Sequence, residues 1–243
     1  MNVIEHLQPT KVLEIEVFGI DASIYNSTLS LFFAVFIIFF FFMLVSRKAK
    51  IIPTPIQSIA EYLVDFIRLE MLAPLGSQGE KWLPFLISLF CLILISNLLG
   101  LVPGLLPPTS NINVTGTLAI IVFIMVNIVG LLKHGFLGYF RSFIPSGVPI
   151  FLIPLLFPIE VMGQVARPFS LAVRLFANMF AGHAIILVFL SFIFMFKSFL
   201  IAPLPVIGDV AISAFEIFVA FIQAFIFTYL SSSYIIGALQ EEH

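Results

Sequence analysis

EVMGQVARPFSLAVRLFANMFAGH, running from Glu160 to His183, is the stretch whose reading decides the fold. It lies within a sequence made largely of Phe, Leu, Ile and Val, yet it carries Glu160, Arg167, Arg174, Asn178 and His183. On a helix at about 100° per residue, Glu160, Gly163, Arg167, Ser170, Arg174, Asn178 and Ala181 share a stripe roughly 80° wide. One face is therefore small and polar, and the others are apolar. An arginine at mid-bilayer costs a few kcal/mol on insertion scales, and ~10 or more in simulations of an isolated helix. Such residues face protein or a water-filled cavity and mark an ion path. Arg174 is the residue that needs an explanation.

Composition sets the solvent. Of 243 residues, 61% are hydrophobic and 10% charged, with 30 Phe and a mean hydropathy of +1.18. Soluble domains are roughly half apolar and about a quarter charged, so the chain reads as an integral membrane protein. A net charge of −2 with no basic arm or aromatic-basic patch gives no sign of a nucleic-acid partner. The single cysteine, Cys91, lies in an apolar run and reads as a small core residue. The N-terminal residues MNVIEHLQPTKVLEIEVFG lack the basic and apolar regions of a signal peptide.

Outward from the central stretch, residues 1–27 read as an outer-side segment and 28–243 as one membrane domain. A first span covers 28–45 and is followed at once by Arg47, Lys48 and Lys50, which marks that end as cytoplasmic or matrix-facing. Residues 55–74 form an amphipathic surface helix, with Ile56, Ile59, Leu63 and Ile67 on one side and Glu61, Asp65 and Arg68 on another. Spans at 83–103 and 114–133 follow; Asn97 lies in the first, and Pro103 interrupts a Gly100-to-Gly104 spacing that would otherwise favour helix packing. The Pro145, Gly147 and Pro149 stretch introduces an element over 149–197 that reaches ~70 Å as a helix, more than twice the hydrocarbon thickness. It must bend, tilt or lie partly in-plane, and Pro154, Pro158 and Pro168 are candidate bends. Pro203, Pro205, Gly208 and Asp209 read as a turn before the last element, 204–240. The expected fold is all-α and polytopic: about five membrane helices plus the surface helix, the last two forming a hairpin. With the N-terminus outside and the C-terminus inside, seven of the eleven Lys and Arg fall in inner segments, against Lys11 and Lys197 outside.

The hairpin brings distant polar residues to matching depths. Arg174 and Gln223, and likewise His183 and Glu216, lie nearly equidistant from a turn near residue 199. His183 and Glu216 thus form a protonatable pair toward the outer side, and Glu160 a site about four helical turns inward of Arg174. Arg174 holds its charge at any physiological pH and blocks proton hopping between them. Two half-paths separated by a cation pass charge only through a moving partner whose acid is deprotonated beside the arginine. Gln223 and Asn178 are placed to orient the guanidinium or line the path. Taken singly, a buried His183 is more often structural than a relay, Glu160 serves equally to cap a kink or pair with Arg167, and Gln223 and Asn178 serve equally as interhelical glue.

The run from Pro168 to His183, followed by Glu216 and the Gln223-Ala-Phe-Ile-Phe segment, resembles subunit a of F-type ATP synthases, and the likeness extends over essentially the whole chain. Asn97-Leu-Leu-Gly-Leu-Val-Pro103 and Asn111-Ile-Asn-Val-Thr115 match weaker patterns of that family. The resemblance implies that Arg174 is the stator arginine facing the carboxylate of a rotor c-ring, with Asn178 and Gln223 flanking it and Ser170, Ala177 and Ala181 on the rotor-facing side. Some bacterial members carry the acid and the histidine exchanged between positions 183 and 216; His183 with Glu216 looks like mitochondrial and related bacterial members. Gly100 departs from members with an aspartate there, and no proton role is assigned to it. The resemblance also implies near in-plane final helices and, as partners, the c-ring, a peripheral-stalk subunit b and other synthase subunits. It places the chain in an energy-transducing membrane, the bacterial plasma membrane or the mitochondrial inner membrane.

The function expected on this basis is proton conduction through two offset half-channels, with no bond-making chemistry and neither cofactor nor metal. A self-contained ion-coupled transporter is the alternative, but such folds show internal repeats around one midplane site, whereas these polar residues are separated by depth. An intramembrane hydrolase lacks its motifs here: there is no His-Glu-x-x-His helix or Gly-x-Ser-x-Gly elbow.

Overall fold

The computed structural model describes residues 10–14, 16–17, 20–21, 23–47, 49–102, 105–141, 149–196 and 203–239. Lys48, Pro103, Gly104, Pro145, Gly147, Lys197 and the polar C-terminal residues, on which parts of the sequence reading fell, lie outside the described residues. The membrane domain is all-α, with helices α1 (Asn26–Arg47), α2 (Pro55–Met71), α3 (Leu83–Leu99), α4 (Ile112–Arg141), α5 (Ile153–Phe196) and α6 (Pro203–Leu239). Four of them are long and apolar enough to cross a membrane, and α3 is a shorter apolar helix. Ahead of them stand two small antiparallel ladders that the sequence reading did not anticipate. Strand β1 (Lys11–Leu13) pairs with β4 (Ile24–Tyr25), and β2 (Glu16–Val17) with β3 (Ile20–Asp21).

Burial follows the logic of a bilayer. Helix α1 buries Ser27, Ser30 and Ala34 and exposes Phe32, Phe33, Phe36, Phe39 and Phe40. Hydrocarbon solvates phenylalanine well, so small residues take the helix interface where backbones approach closely. Helix α6 does the same with Ala220, Gln223, Ala224, Thr228, Ser231 and Ser232. Its hydroxyls are satisfied locally: Thr228 donates to the Ala224 carbonyl at 2.8 Å and Ser231 to that of Phe227 at 2.7 Å. Ser232 instead donates to the Met71 carbonyl at 2.6 Å and ties the end of α2 to α6.

Helix α2 starts where sequence chemistry says it should. Thr54 caps the Gln57 amide at 3.4 Å and Pro55 occupies the first helical position. Ala60, Ile67 and Met71 are buried on the side of the expected apolar stripe, while Ile56 and Ile59 are exposed. The Gln57 side chain bonds the Lys50 backbone and Glu61 and ties the start of the helix to the preceding loop. Arg68 bridges Glu80 at 2.7 Å and Asp65 at 3.1 Å, and the Glu80 bond and charge raise its pKa further.

Three boundaries depart from the sequence reading. Helix α3 ends at Leu99 and not near residue 103; Gly100 lies against Pro107, where an added Cβ would come within 2.7 Å of the ring. Helix α4 kinks at Gly135 (φ 70°), a left-handed conformation suited to glycine, and folds back so that Tyr139 covers Gly130. Pro203, Pro205, Gly208 and Asp209 are not a turn: they form the opening turns of α6. Proline is tolerated in a first helical turn because its missing N–H has no intrahelical partner there. Helix α5 is 44 residues long and contains Pro158 and Pro168, each of which removes an internal hydrogen bond without ending the helix. At about 66 Å, α5 exceeds the hydrocarbon thickness twofold.

Candidate functional site

Helices α5 and α6 form an antiparallel hairpin, backed by α4 and, on the α6 side, by α3. Helix α5 buries Leu171, Ala172, Leu175 and Met179 against this wall. Phe66, Phe90, Phe221 and Phe225 form an aromatic cluster that locks α2, α3 and α6 together. The site is thus carried on helices fixed by a packed core.

On the opposite side of α5, Ser170, Arg174, Ala177, Asn178 and Ala181 are all exposed. Phe169, at 71%, and Val173, at 38%, flank them. Arg174 makes no hydrogen bond or ion pair among the described residues. A cation on an apolar, membrane-length helix thus stands with its guanidinium unpaired, beside residues small enough to let another helix approach.

Gln223 is buried, 2% exposed, and accepts a hydrogen bond from the Asn178 amide at 2.8 Å. The sequence reading set Gln223 level with Arg174; its contact falls one turn farther along α5, at Asn178, and the two amides hold each other and not the guanidinium. The reason is an oblique crossing. Between the Phe189–Gly208 contact and the Asn178–Gln223 bond the chain uses eleven residues of α5 but fifteen of α6. A fixed register cannot hold along both helices.

Toward the C-terminal end of α5 the match between the two helices holds closely. The Glu216 carboxylate fills the space in front of Gly182, so close that an added Cβ would collide with it. A side chain at this position would displace the end of the Glu216 side chain. His183, the next residue, faces the Gly100 backbone and has a buried Nδ1 without a hydrogen-bond partner. His183 and Glu216 are neighbours across the interface without a direct bond.

Toward the N-terminal end of α5, Glu160 pairs with Arg167, Nη2 to Oε1 at 3.5 Å, with both side chains 40% exposed. The Arg167 guanidinium also lies over the Tyr234 ring of α6, 5.3 Å from its centroid. The structure therefore joins Glu160 to the partner that sequence reading offered as its bland alternative. Tyr234 was missed; eleven residues beyond Gln223, three turns along α6, its position on the same side of the helix was a readable signal.

Asn97 links α3 to the hairpin, accepting from Thr109 at 2.7 Å and reaching the Ala220 carbonyl at 3.5 Å. Among the described residues, no group of three His, Cys, Asp or Glu is arranged to hold a metal ion.

The profile of the family described as "ATP synthase A chain" matches residues 28–236. The chain belongs to that family. It is 42% identical to ATP synthase subunit a of Magnetococcus marinus over 98% of its own length and 93% of the relative's. Identity to ATP synthase subunit a 1 of Brucella anthropi is 40%, covering 99% of this chain and 98% of that one. Membership makes the chain a multi-pass, non-catalytic subunit of the membrane sector of ATP synthase, where proton transport is coupled to ATP synthesis. It sits there with the other synthase subunits in an energy-transducing membrane.

Proposed function

We propose that this chain is the stator that loads and unloads a rotating c-ring through two offset aqueous half-paths. Protons reach the ring carboxylate from the outer side by way of His183 and Glu216 and leave near Glu160 after a revolution. Arg174 attracts the deprotonated ring carboxylate and prevents a short circuit between the half-paths. Ser170, Ala177 and Ala181 face the ring, and Asn178 and Gln223 brace the helices beside the arginine. The long helices α5 and α6 run strongly tilted, near the membrane plane, with the N-terminus outside and the C-terminus on the cytoplasmic or matrix side. A peripheral-stalk subunit b holds the chain against rotation.

The observation that carries this reading is the unpaired, exposed Arg174 on a small-residue stripe, with protonatable groups toward both ends of the same hairpin. An unpaired cation on a membrane helix is costly, and a carboxylate brought to it by another subunit removes that cost. The test is Arg174→Ala in assembled complexes. Proton-driven ATP synthesis is expected to vanish with assembly intact, and synthesis at the wild-type rate overturns the assignment. Disulfide trapping of Ala177→Cys or Ala181→Cys with cysteines on the c-ring helices, together with loss of ATP-driven pumping, supports the rotor-facing assignment.

A further inference from the structure

Asp209 has no part in the outer half-path as described so far. It lies well inside α6, with its Oδ1 buried and without a hydrogen-bond partner. As the seventh residue of that helix it is past the first turn, where a carboxylate caps free N–H groups or complements the helix dipole. A carboxylate held there needs another reason. Seven residues separate it from Glu216, so both project from one side of α6 about two turns, ~10 Å, apart.

Across the interface the His183 Nδ1 is likewise buried without a partner. Gly182 opens the space that the Glu216 carboxylate fills, and Gly208 admits the Phe189 ring beside Asp209. Buried polar atoms in folded proteins are met by protein groups or by ordered water. Asp209, Glu216 and His183 carry carboxyl and imidazole groups, and they follow one another along a single helix–helix seam walled by an aromatic ring.

We propose that Asp209 is the outermost protonatable group of the outer half-path and hands protons inward to Glu216. In each transfer, protonated Asp209 gives up its proton through intervening water to the Glu216 carboxylate. The Asp209 carboxylate then regains a proton from the outer aqueous phase, so one proton moves inward and no other bond changes. This rests on the reading of His183 and Glu216 as the outer pair.

The test uses the assembled complex in membrane vesicles, with Asp209→Asn, Asp209→Glu and Glu216→Gln compared at equal assembly. Loss of one positioned acid is expected to slow proton-driven ATP synthesis about tenfold or more in Asp209→Asn, with recovery in Asp209→Glu. In a Cys91→Ser background, Asp209→Cys is expected to react with a membrane-impermeant thiol reagent from the outer side. Wild-type rates in Asp209→Asn beside an inactive Glu216→Gln overturn the relay and leave the outer pair standing. Wild-type rates in both variants overturn the outer pair itself, and an unreactive Asp209→Cys overturns the relay.

Discussion

The Asn178 amide donates to the Gln223 Oε1 at 2.8 Å, one helical turn outside Arg174, and so fixes the crossing of α5 and α6 beside the unpaired guanidinium. The acceptor is buried and the donor exposed, so losing this neutral bond costs about 1 kcal/mol. Charge matters more than the bond. Gln223→Glu has the same shape but brings a carboxylate near Arg174, and charge-assisted bonds are roughly twice as strong as neutral ones. That carboxylate competes with the ring's own acid for the guanidinium. ATP-driven proton pumping in vesicles is expected to fall about tenfold or more in Gln223→Glu, with the subunit at normal level on an immunoblot. Equal pumping by Gln223→Glu and wild type contradicts the role given to Arg174.

Gly182 provides a second test, because the Glu216 carboxylate occupies the place of its missing Cβ. Gly182→Ala forces the carboxylate or the helix to move, whereas an added Cβ at Gly237 meets nothing within 4 Å. In a helix interior, Gly→Ala without a clash stabilises by roughly 0.5–1 kcal/mol. Thermal unfolding in detergent is therefore expected to rise slightly for Gly237→Ala. For Gly182→Ala the gain is cancelled or reversed, and ATP synthesis driven by outer acid drops with it. A stable, fully active Gly182→Ala rules out the tight contact as a functional one.

These tests also show what was legible in the chain alone. A membrane-length helix with a polar stripe is written in residue identity and spacing, because helical period and bilayer thickness are fixed. Equal depth of His183 and Glu216 followed from a hairpin, which needs only a turn position. The offset at Gln223 was not readable, because it depends on how α5 and α6 cross, which spacing along either helix alone does not carry. Asp209 was taken for a turn residue because proline and glycine precede it, yet the same prolines start a helix as well as they end one. The tie of Gln57 to the Lys50 backbone was not readable either, because Lys50 lies in the preceding loop and outside any helical periodicity. Local pattern fixes an element's type, while neighbours choose its face and register.

Nearer the start of α5, Arg167 is held by Glu160 on its own helix and by the Tyr234 ring on the next. The ion pair is more than a third exposed and is worth about 0–1 kcal/mol, and the cation–π contact adds ~0.5–1. Tyr234→Leu is therefore expected to change unfolding stability by no more than about 1–2 kcal/mol. Its larger effect is on Glu160, whose cation then swings free. Because Glu160 is assigned to proton release, Tyr234→Leu and Arg167→Gln are both expected to slow ATP-driven pumping at equal assembly. Wild-type rates in both variants detach the Arg167 clamp from the release path.

The Asn97–Thr109 bond, 2.7 Å between side chains that are 3% and 0% exposed, is a polar contact in an otherwise apolar wall. Thr109→Val keeps the shape but leaves the Asn97 Oδ1 buried without its donor, at a cost of about 1–3 kcal/mol. Removing both partners is a different matter, because no orphaned oxygen remains between them. Asn97→Leu with Thr109→Val is expected to be less destabilised than the two single changes predict when added, by roughly 0.5–3 kcal/mol of coupling. The remaining deficit reflects the lost reach of Asn97 to the Ala220 carbonyl on α6. Denaturant titration of the purified subunit in detergent measures all four corners of this cycle. Additive losses mean that the bond does not hold the 3₁₀ turn Pro108–Ser110 to α3, and that Gly100, seated on Pro107 and facing His183, is positioned by backbone contacts alone.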